Sequence, residues 1–233
     1  MEQIQICDLS KSFDLGQGVQ PILSHLDVNI PLGAITVVLG RSGCGKSTLL
    51  RILGGELAAD SGIVRMPEGF RSTMLYPEPY LISWTSVQHN VELACGVNYT
   101  PPEREQKARE ILELVQLSRF STLTPPQLST GMRQRLGLAR ALASESQLLL
   151  MDEPFASLDF CTREELQQQL LQVQQELPRT IVFVTHQLEE AMLLAQQIVV
   201  LHADGSACCL NLQEEIWQNH DRLKERIMQE YRK

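Results

Sequence analysis

No stretch of the 233-residue chain supplies the roughly 18 uninterrupted apolar residues that a membrane-spanning helix needs. The nearest, Ala191 to Leu201, is broken by Gln196 and Gln197. Met1-Glu2-Gln3 carries no basic segment followed by an apolar one, so no secretory signal is read and a cytoplasmic location is expected. The six cysteines (Cys7, Cys44, Cys95, Cys161, Cys208 and Cys209) form no C-x-x-C pair and have no histidine at ligand spacing. That pattern points to reduced thiols rather than zinc or disulfides, with Cys208 and Cys209 read as strand residues. Positive charge is also in short supply, with 20 Lys and Arg against 28 Asp and Glu and a net charge of −8. A nucleic-acid partner held by bulk electrostatics is therefore excluded, and any phosphate binding must be local. Repeats, low-complexity tracts and long linkers are missing as well.

What is present begins with an ordinary hydrophobic fraction of 43 %, enough for one large domain or a core with a smaller lobe. Between Gly40 and Thr48 the chain reads Gly40-Arg41-Ser42-Gly43-Cys44-Gly45-Lys46-Ser47-Thr48, after the apolar run Ile35 to Leu39 and before Leu49 to Leu53. This is the pattern of a phosphate-binding loop, in which glycines let backbone N–H groups wrap phosphate oxygens and the following helix turns its positive end toward the anion. Lys46 is placed to reach the β- and γ-phosphates of a nucleotide, Ser47 to hold the accompanying magnesium ion, and Thr48 to support the helix start. Cys44 lies inside the loop, so a thiol reagent is expected to block ATP binding and prior ATP to protect against it.

The remaining chain divides by pattern. Ile4 to Leu9 and Ile22 to Ile30 alternate and suggest an N-terminal antiparallel sheet, with further strands at Gly62 to Arg65 and Arg71 to Tyr76. Thr100-Pro101-Pro102-Glu103 reads as a capping box, followed by Ala108, Ile111, Leu112 and Val115 at helical spacing, so residues 83–144 read as a helical lobe. Strands and helices then alternate again. Leu148 to Met151 and Thr180 to Thr185 are strands, and a helix opened by Thr162 and Glu165 stops before Pro178, with Leu166, Leu170, Val173 and Leu177 on one face. Leu212 to Lys233 reads as a terminal surface helix, and His25, His89, His202 and His220 as surface residues.

Leu148 to Asp152 is an apolar strand ending in the pair Asp152-Glu153. Asp152 is placed to hold magnesium and Glu153 to polarise an attacking water. Leu128-Ser129-Thr130-Gly131-Met132 leads into another helix whose N-cap is Ser129, a second anion site. If the helical lobe stands apart from the core, one nucleotide reaches both helix ends most simply in a two-fold dimer.

With these residues in view, the chain resembles the ATP-binding subunits of ABC transporters over essentially its whole length. The phosphate loop matches Walker A, Leu128 to Met132 the signature, Leu148 to Glu153 Walker B, Ala156-Ser157-Leu158-Asp159 the D-loop, and Val184-Thr185-His186 the switch histidine. The segment Glu153 to Arg163 is most similar to the nitrate, sulfonate and taurine importer branch. The resemblance implies an α/β P-loop NTPase (RecA-like) fold: one cassette over residues 1–233, with a parallel-sheet core, an N-terminal antiparallel β subdomain and an inserted α-helical subdomain at 83–144. It implies two ATP molecules with Mg2+ between head-to-tail cassettes, Phe13 stacked on adenine, His186 on the γ-phosphate, Ser129 and Gly131 on the partner's nucleotide, and Asp159 coupling the two sites. The implied partners are a second ATPase subunit, two transmembrane permease subunits received in a groove near Trp84, and indirectly a substrate-binding protein. The implied location is the cytoplasmic face of the membrane.

Two positions depart from the family. Pro77 stands where a glutamine that helps ligate magnesium is usual, leaving Glu78 or a water to substitute or the site to be slow. Thr130 replaces a signature glycine and would be strained at positive φ. An active ATPase is the expectation, with a nucleotide-binding regulator of low turnover as the alternative.

Overall fold

The computed structural model describes residues 3–14, 16, 18–97, 99–212 and 220–232. Alternating apolar residues pair β1 (Gln3–Asp14) with β2 (Val19–Pro31) as antiparallel neighbours. After β3 (Ile35–Gly40) and α1 (Lys46–Leu53), β4 (Ser61–Arg65) adds to the other edge of β1, giving a three-stranded sheet in the order β2-β1-β4. The second sheet has six strands. It is built from β5 (Ser72–Leu75), β6 (Leu148–Asp152), β7 (Thr180–Thr185), β3, β8 (Gln197–Leu201) and β9 (Ala207–Asn211), in that spatial order. All neighbours are parallel except β8 and β9.

Between β5 and β6 the regular elements are helical: α2 (Val87–Glu92), α3 (Pro101–Leu114) and α4 (Thr130–Ala143), joined partly by 3-10 turns. Glu103 folds back so that its carboxylate accepts from the Thr100 N–H and hydroxyl, each at 2.7 Å, which fixes the start of α3. Helices α5 (Phe160–Glu176) and α6 (Leu188–Leu194) connect the later strands, and α7 (His220–Tyr231) follows β9.

The period-two geometry of a strand places its side chains in two separate cores. Val37 and Leu39 of β3, Met151 of β6 and Phe183 of β7 face a core shared with α2, α3, α4 and α5. Val38, Leu150, Val184 and Leu201 face the opposite core, shared with Leu49 and Leu50 of α1 and with Ile4, Ile6 and Leu26 of the antiparallel sheet. Full burial of one such side chain is worth about 1.5–3 kcal/mol, whereas an exposed ion pair contributes about 0–1 kcal/mol. The two cores therefore set the sheet's register, and the position of every strand end with it.

Several elements differ from the sequence reading. Helix α5 begins two residues earlier than Thr162, because the Asp159 carboxylate accepts from the Thr162 N–H at 3.1 Å and caps it. Leu177 is not on the buried face with Leu166, Leu170 and Val173; the helix has ended there and it is 39 % exposed. The expected terminal helix is described only from His220, residues 213–219 and 233 lying outside the described residues. Its Leu223 and Ile227 are buried, so it packs on the core rather than lying free on the surface. His202 is also not a surface residue: its side chain is 10 % exposed, with Nε2 at 3.3 Å from Glu230 and Nδ1 at 3.0 Å from the Ser206 hydroxyl.

Candidate nucleotide site

The strand order β6-β7-β3 brings three chain segments to one edge of the parallel sheet. Asp152 pairs across from Val184, and Leu39 from Thr185, so the acidic pair, His186 and the phosphate loop leave adjacent strands at the same level. The loop closes tightly. Gly45 has φ +103°, and a Cβ there would stand 2.8 Å from Ile22 Cγ2, so only glycine meets both demands. A Cβ on Gly40 would lie 2.6 Å from Cys44 Sγ and 2.7 Å from the Leu201 carbonyl oxygen.

Lys46 is buried at 5 % exposure and folds back over its own loop, donating to the Gly40 carbonyl at 2.9 Å and the Arg41 carbonyl at 3.0 Å. Ser47 donates to Asp152 Oδ1 at 3.0 Å. Glu153 faces two cations or potential cations: Lys46 Nζ at 3.8 Å from Oε1 and His186 Nδ1 at 3.0 Å from Oε2. Its φ is +43°, an uncommon value for a residue with a side chain and one that locates backbone strain at the acidic pair. Burial pushes the Asp152 carboxyl above its ordinary pKa, partly opposed by the Ser47 hydroxyl. A hydroxyl and a carboxylate oxygen already in contact form a hard-oxygen pair that suits Mg2+, a fit shown by the chemistry of the donors.

A cavity of about 340 Å³ opens on this cluster, lined by Phe13 and Ile22 on one side and by Ser42, Gly43, Gly45, Lys46, Ser47, Thr48 and Glu153 on the other. Phe13 is thus beside the phosphate loop, with Lys11 Nζ 5.5 Å above its ring. Ile22 was not anticipated. It follows Pro21 in an alternating strand, and nothing in that pattern marks it as lining a site. A larger cavity, about 860 Å³ between Gln116, Arg135 and the polar face of α5, contains none of the sequence-derived site residues.

Other expected residues lie apart from this cavity. Ser129 caps α4 by accepting from the Met132 N–H at 3.2 Å, and Gly131 packs so closely on α5 that a Cβ would stand 2.5 Å from Thr162 Cγ2. Asp159 lies in the same region as the cap of α5, and its Thr162 N–H bond holds its carboxyl below the usual range. Thr130 escapes the feared strain: its φ is not positive, and its hydroxyl accepts from Arg133 at 3.1 Å. Pro77 and Glu78 are both exposed and neither lines the cavity. Instead, the Pro77 carbonyl accepts from Gln134 of α4. Cys44 is 7 % exposed and burial raises its thiol pKa, so the reactive thiol read from the sequence is not what the fold presents.

Residues 23–156 match the sequence pattern of the ABC transporter family. A taurine import ATP-binding protein TauB of Pseudomonas putida is 38 % identical over 209 residues, covering 86 % of this chain and 79 % of that protein. Its Pseudomonas aeruginosa counterpart is 40 % identical over 201 residues, covering 83 % and 76 %. The chain belongs to the ABC transporter family. Among solved structures, the dimeric post-hydrolysis state of the ATP-binding cassette MJ0796 bound to ADP and Pi superposes with a TM-score of 0.77 at 28 % identity, covering 91 % of this chain and 99 % of that one. The fold is accordingly that of a P-loop cassette, and the chain is an ABC ATPase that binds ATP. No described helix is long and apolar enough to cross a membrane.

Proposed function

We propose that this chain is the ATP-hydrolysing subunit of an importer for small sulfonates of the taurine type, acting on the cytoplasmic face of the membrane through partner permeases. Support for the solute class comes from the similarity to taurine import ATP-binding proteins, since an ATP-binding subunit does not itself touch the cargo. One observation carries the catalytic reading: Lys46, Ser47, Asp152, Glu153 and His186 meet at the sheet edge in two adjacent sets of contacts, Ser47 on Asp152 and Glu153 between Lys46 and His186. In this reading Arg41, Ser42 and Gly43 to Thr48 wrap the phosphates, Phe13 meets the adenine, and Ser47 with Asp152 holds Mg2+. The metal offsets phosphate charge when bound. Glu153 accepts the proton of the attacking water, and His186 steadies both that carboxylate and the γ-phosphate.

Ser129, Gly131 and Asp159 stand outside the cavity, and a second copy turned head to tail is the arrangement that brings them to a nucleotide. Residues 83–144 act as the inserted helical subdomain. Tyr80 at 77 % and Trp84 at 83 % exposure offer aromatic surface at its entrance for a permease segment. Glu153→Gln tests the reading: it should still bind ATP, lose hydrolysis by two orders of magnitude or more, and accumulate an ATP-dependent dimer on size exclusion. Parental turnover in that variant would remove Glu153 from the chemistry.

A further inference from the structure

We propose that Arg163 and Glu190 are positioning residues, which together clamp the segment carrying His186 to helix α5 and thereby join it mechanically to the segment that ends at Asp159. The proposal rests on the reading of His186 given above.

The clamp has two arms, one on each side of the histidine. Arg163 lies in the first turn of α5, and its guanidinium donates to the Leu158 carbonyl and to Gln187 Oε1, both at 2.8 Å. One side chain thus joins the residue before Asp159 to the residue after His186, through the planar fork that a guanidinium alone provides. Four residues further on, and so on the same face of the helix, Gln167 Nε2 donates to Glu190 Oε1 at 2.9 Å. The other Glu190 oxygen accepts from the Thr185 hydroxyl, whose oxygen in turn accepts from the Gln187 N–H at 3.0 Å. Thr185 is the residue before His186.

Burial makes the second arm stiff. Thr185 is 2 % exposed and Gln167 and Glu190 are each 5 % exposed, so water does not compete for these bonds. His186 is different: its side chain is 44 % exposed, and its hydrogen bond goes to Glu153 rather than to α5. Its place is therefore set by what grips its two neighbours. A displacement of residues 158–159, where the second copy is expected to touch, reaches Gln187 through one guanidinium. The polar partners explain why a glutamine and a glutamate occupy inward positions of α5 and α6 that the apolar pattern would otherwise fill.

Steady-state hydrolysis and nucleotide affinity of the intact protein test this. Arg163→Ala and Gln187→Leu should each lower kcat by about tenfold while ATP Kd stays within about twofold. The double variant should be no slower than the slower single one, because both break the same link. Gln187→Glu retains an acceptor oxygen for Arg163 and should stay within about twofold of the parent, whereas Gln187→Met, of similar length without that oxygen, should reproduce the loss, which a mere packing role for Gln187 would not produce. On the other side of His186, Thr185→Val keeps the shape without the hydroxyl and should reproduce the kcat loss. Multiplying losses in the double variant, a parental rate for Gln187→Leu, or a loss expressed in Kd alone overturns the clamp. Should Arg163→Ala not fold, the Gln187 pair decides, since that half-exposed side chain can be exchanged without opening the core. Parent and His186→Ala are assayed alongside. An inactive parent or a fully active His186→Ala overturns the site reading and the clamp with it, whereas an active parent, a slow His186→Ala and an unaffected Gln187→Leu overturn the clamp alone.

Discussion

A thiol within a phosphate loop suggests a reactive group, yet Cys44 tucks its sulfur beneath Gly40, and burial raises its pKa against the partial opposition of Lys46. A raised thiol pKa means less thiolate at any pH below it, so alkylation of the native protein at neutral pH should be slow and should accelerate only above the ordinary thiol range. Cys161, which is exposed, supplies the comparison: mass mapping after brief maleimide treatment should find Cys161 modified well before Cys44. Equal labelling of the two in the folded state would show that the loop opens far more often than its packing implies. Gly45 gives the opposite kind of case. Its positive φ and the nearby Ile22 make Gly45→Ala both strained and crowded, at a cost of about 1–3 kcal/mol, and ATP affinity should fall together with Tm. The loop's identity was legible in the sequence because the chemistry is written in consecutive residues. The burial of Cys44 was not, since it belongs to a core that also takes in Leu201, on a strand more than a hundred residues away.

Helix ends carry much of the site, and their caps do two jobs. Ser129→Ala removes the bond to the Met132 N–H and should cost about 1 kcal/mol of stability, equivalent to a Tm lower by about 2–4 °C for a protein of this size. Hydrolysis should fall much further than that shift explains, because the proposed dimer turns the same end of α4 toward a second copy. A variant whose activity loss only tracks its unfolded fraction would reduce Ser129 to a cap. Element existence was largely legible from periodicity: β1 to β7 and the helices α3, α4 and α5 lie where the pattern put them, whereas β8, Gln197–Leu201, was read only as part of an apolar run. The starts and stops were less so. Asp159 caps α5 where Thr162 was expected, because a short carboxylate three residues before a free N–H is a cap whatever other role it has. The segment at Pro77 was legible as a departure, but its consequence needed the fold. The Pro77 carbonyl accepts from Gln134, and Glu78 is exposed and does not line the cavity, so Glu78→Ala should change kcat by less than about twofold. A larger loss would return Glu78 to the magnesium site.

At the scale of the whole molecule, the cassette of the proposed dimer presents half of a site twice over. Lys46 and Ser47 are in one cavity while Ser129 and Gly131 stand outside it on another element, a division that the motifs and the family resemblance led one to expect and that needed the fold to be located. In the proposed head-to-tail dimer each half is completed by the other copy's, and this has a consequence that a self-contained protomer does not share. Lys46→Ala should kill both sites of its homodimer by removing the phosphate contact, and Ser129→Arg should kill both sites of its own by filling the signature. In the mixed dimer, one site receives both defects, and the other pairs an intact phosphate loop with an intact signature. Mixing the two inactive proteins in equal amounts makes about half of the dimers mixed, each with one sound site in two, so about one quarter of the parental ATPase rate should return. Recovery should grow with protein concentration as dimers form. If the mixture stays as inactive as its components while both variants are folded and the parent is active, each protomer hydrolyses ATP with its own residues, and the head-to-tail arrangement does not apply to this chain.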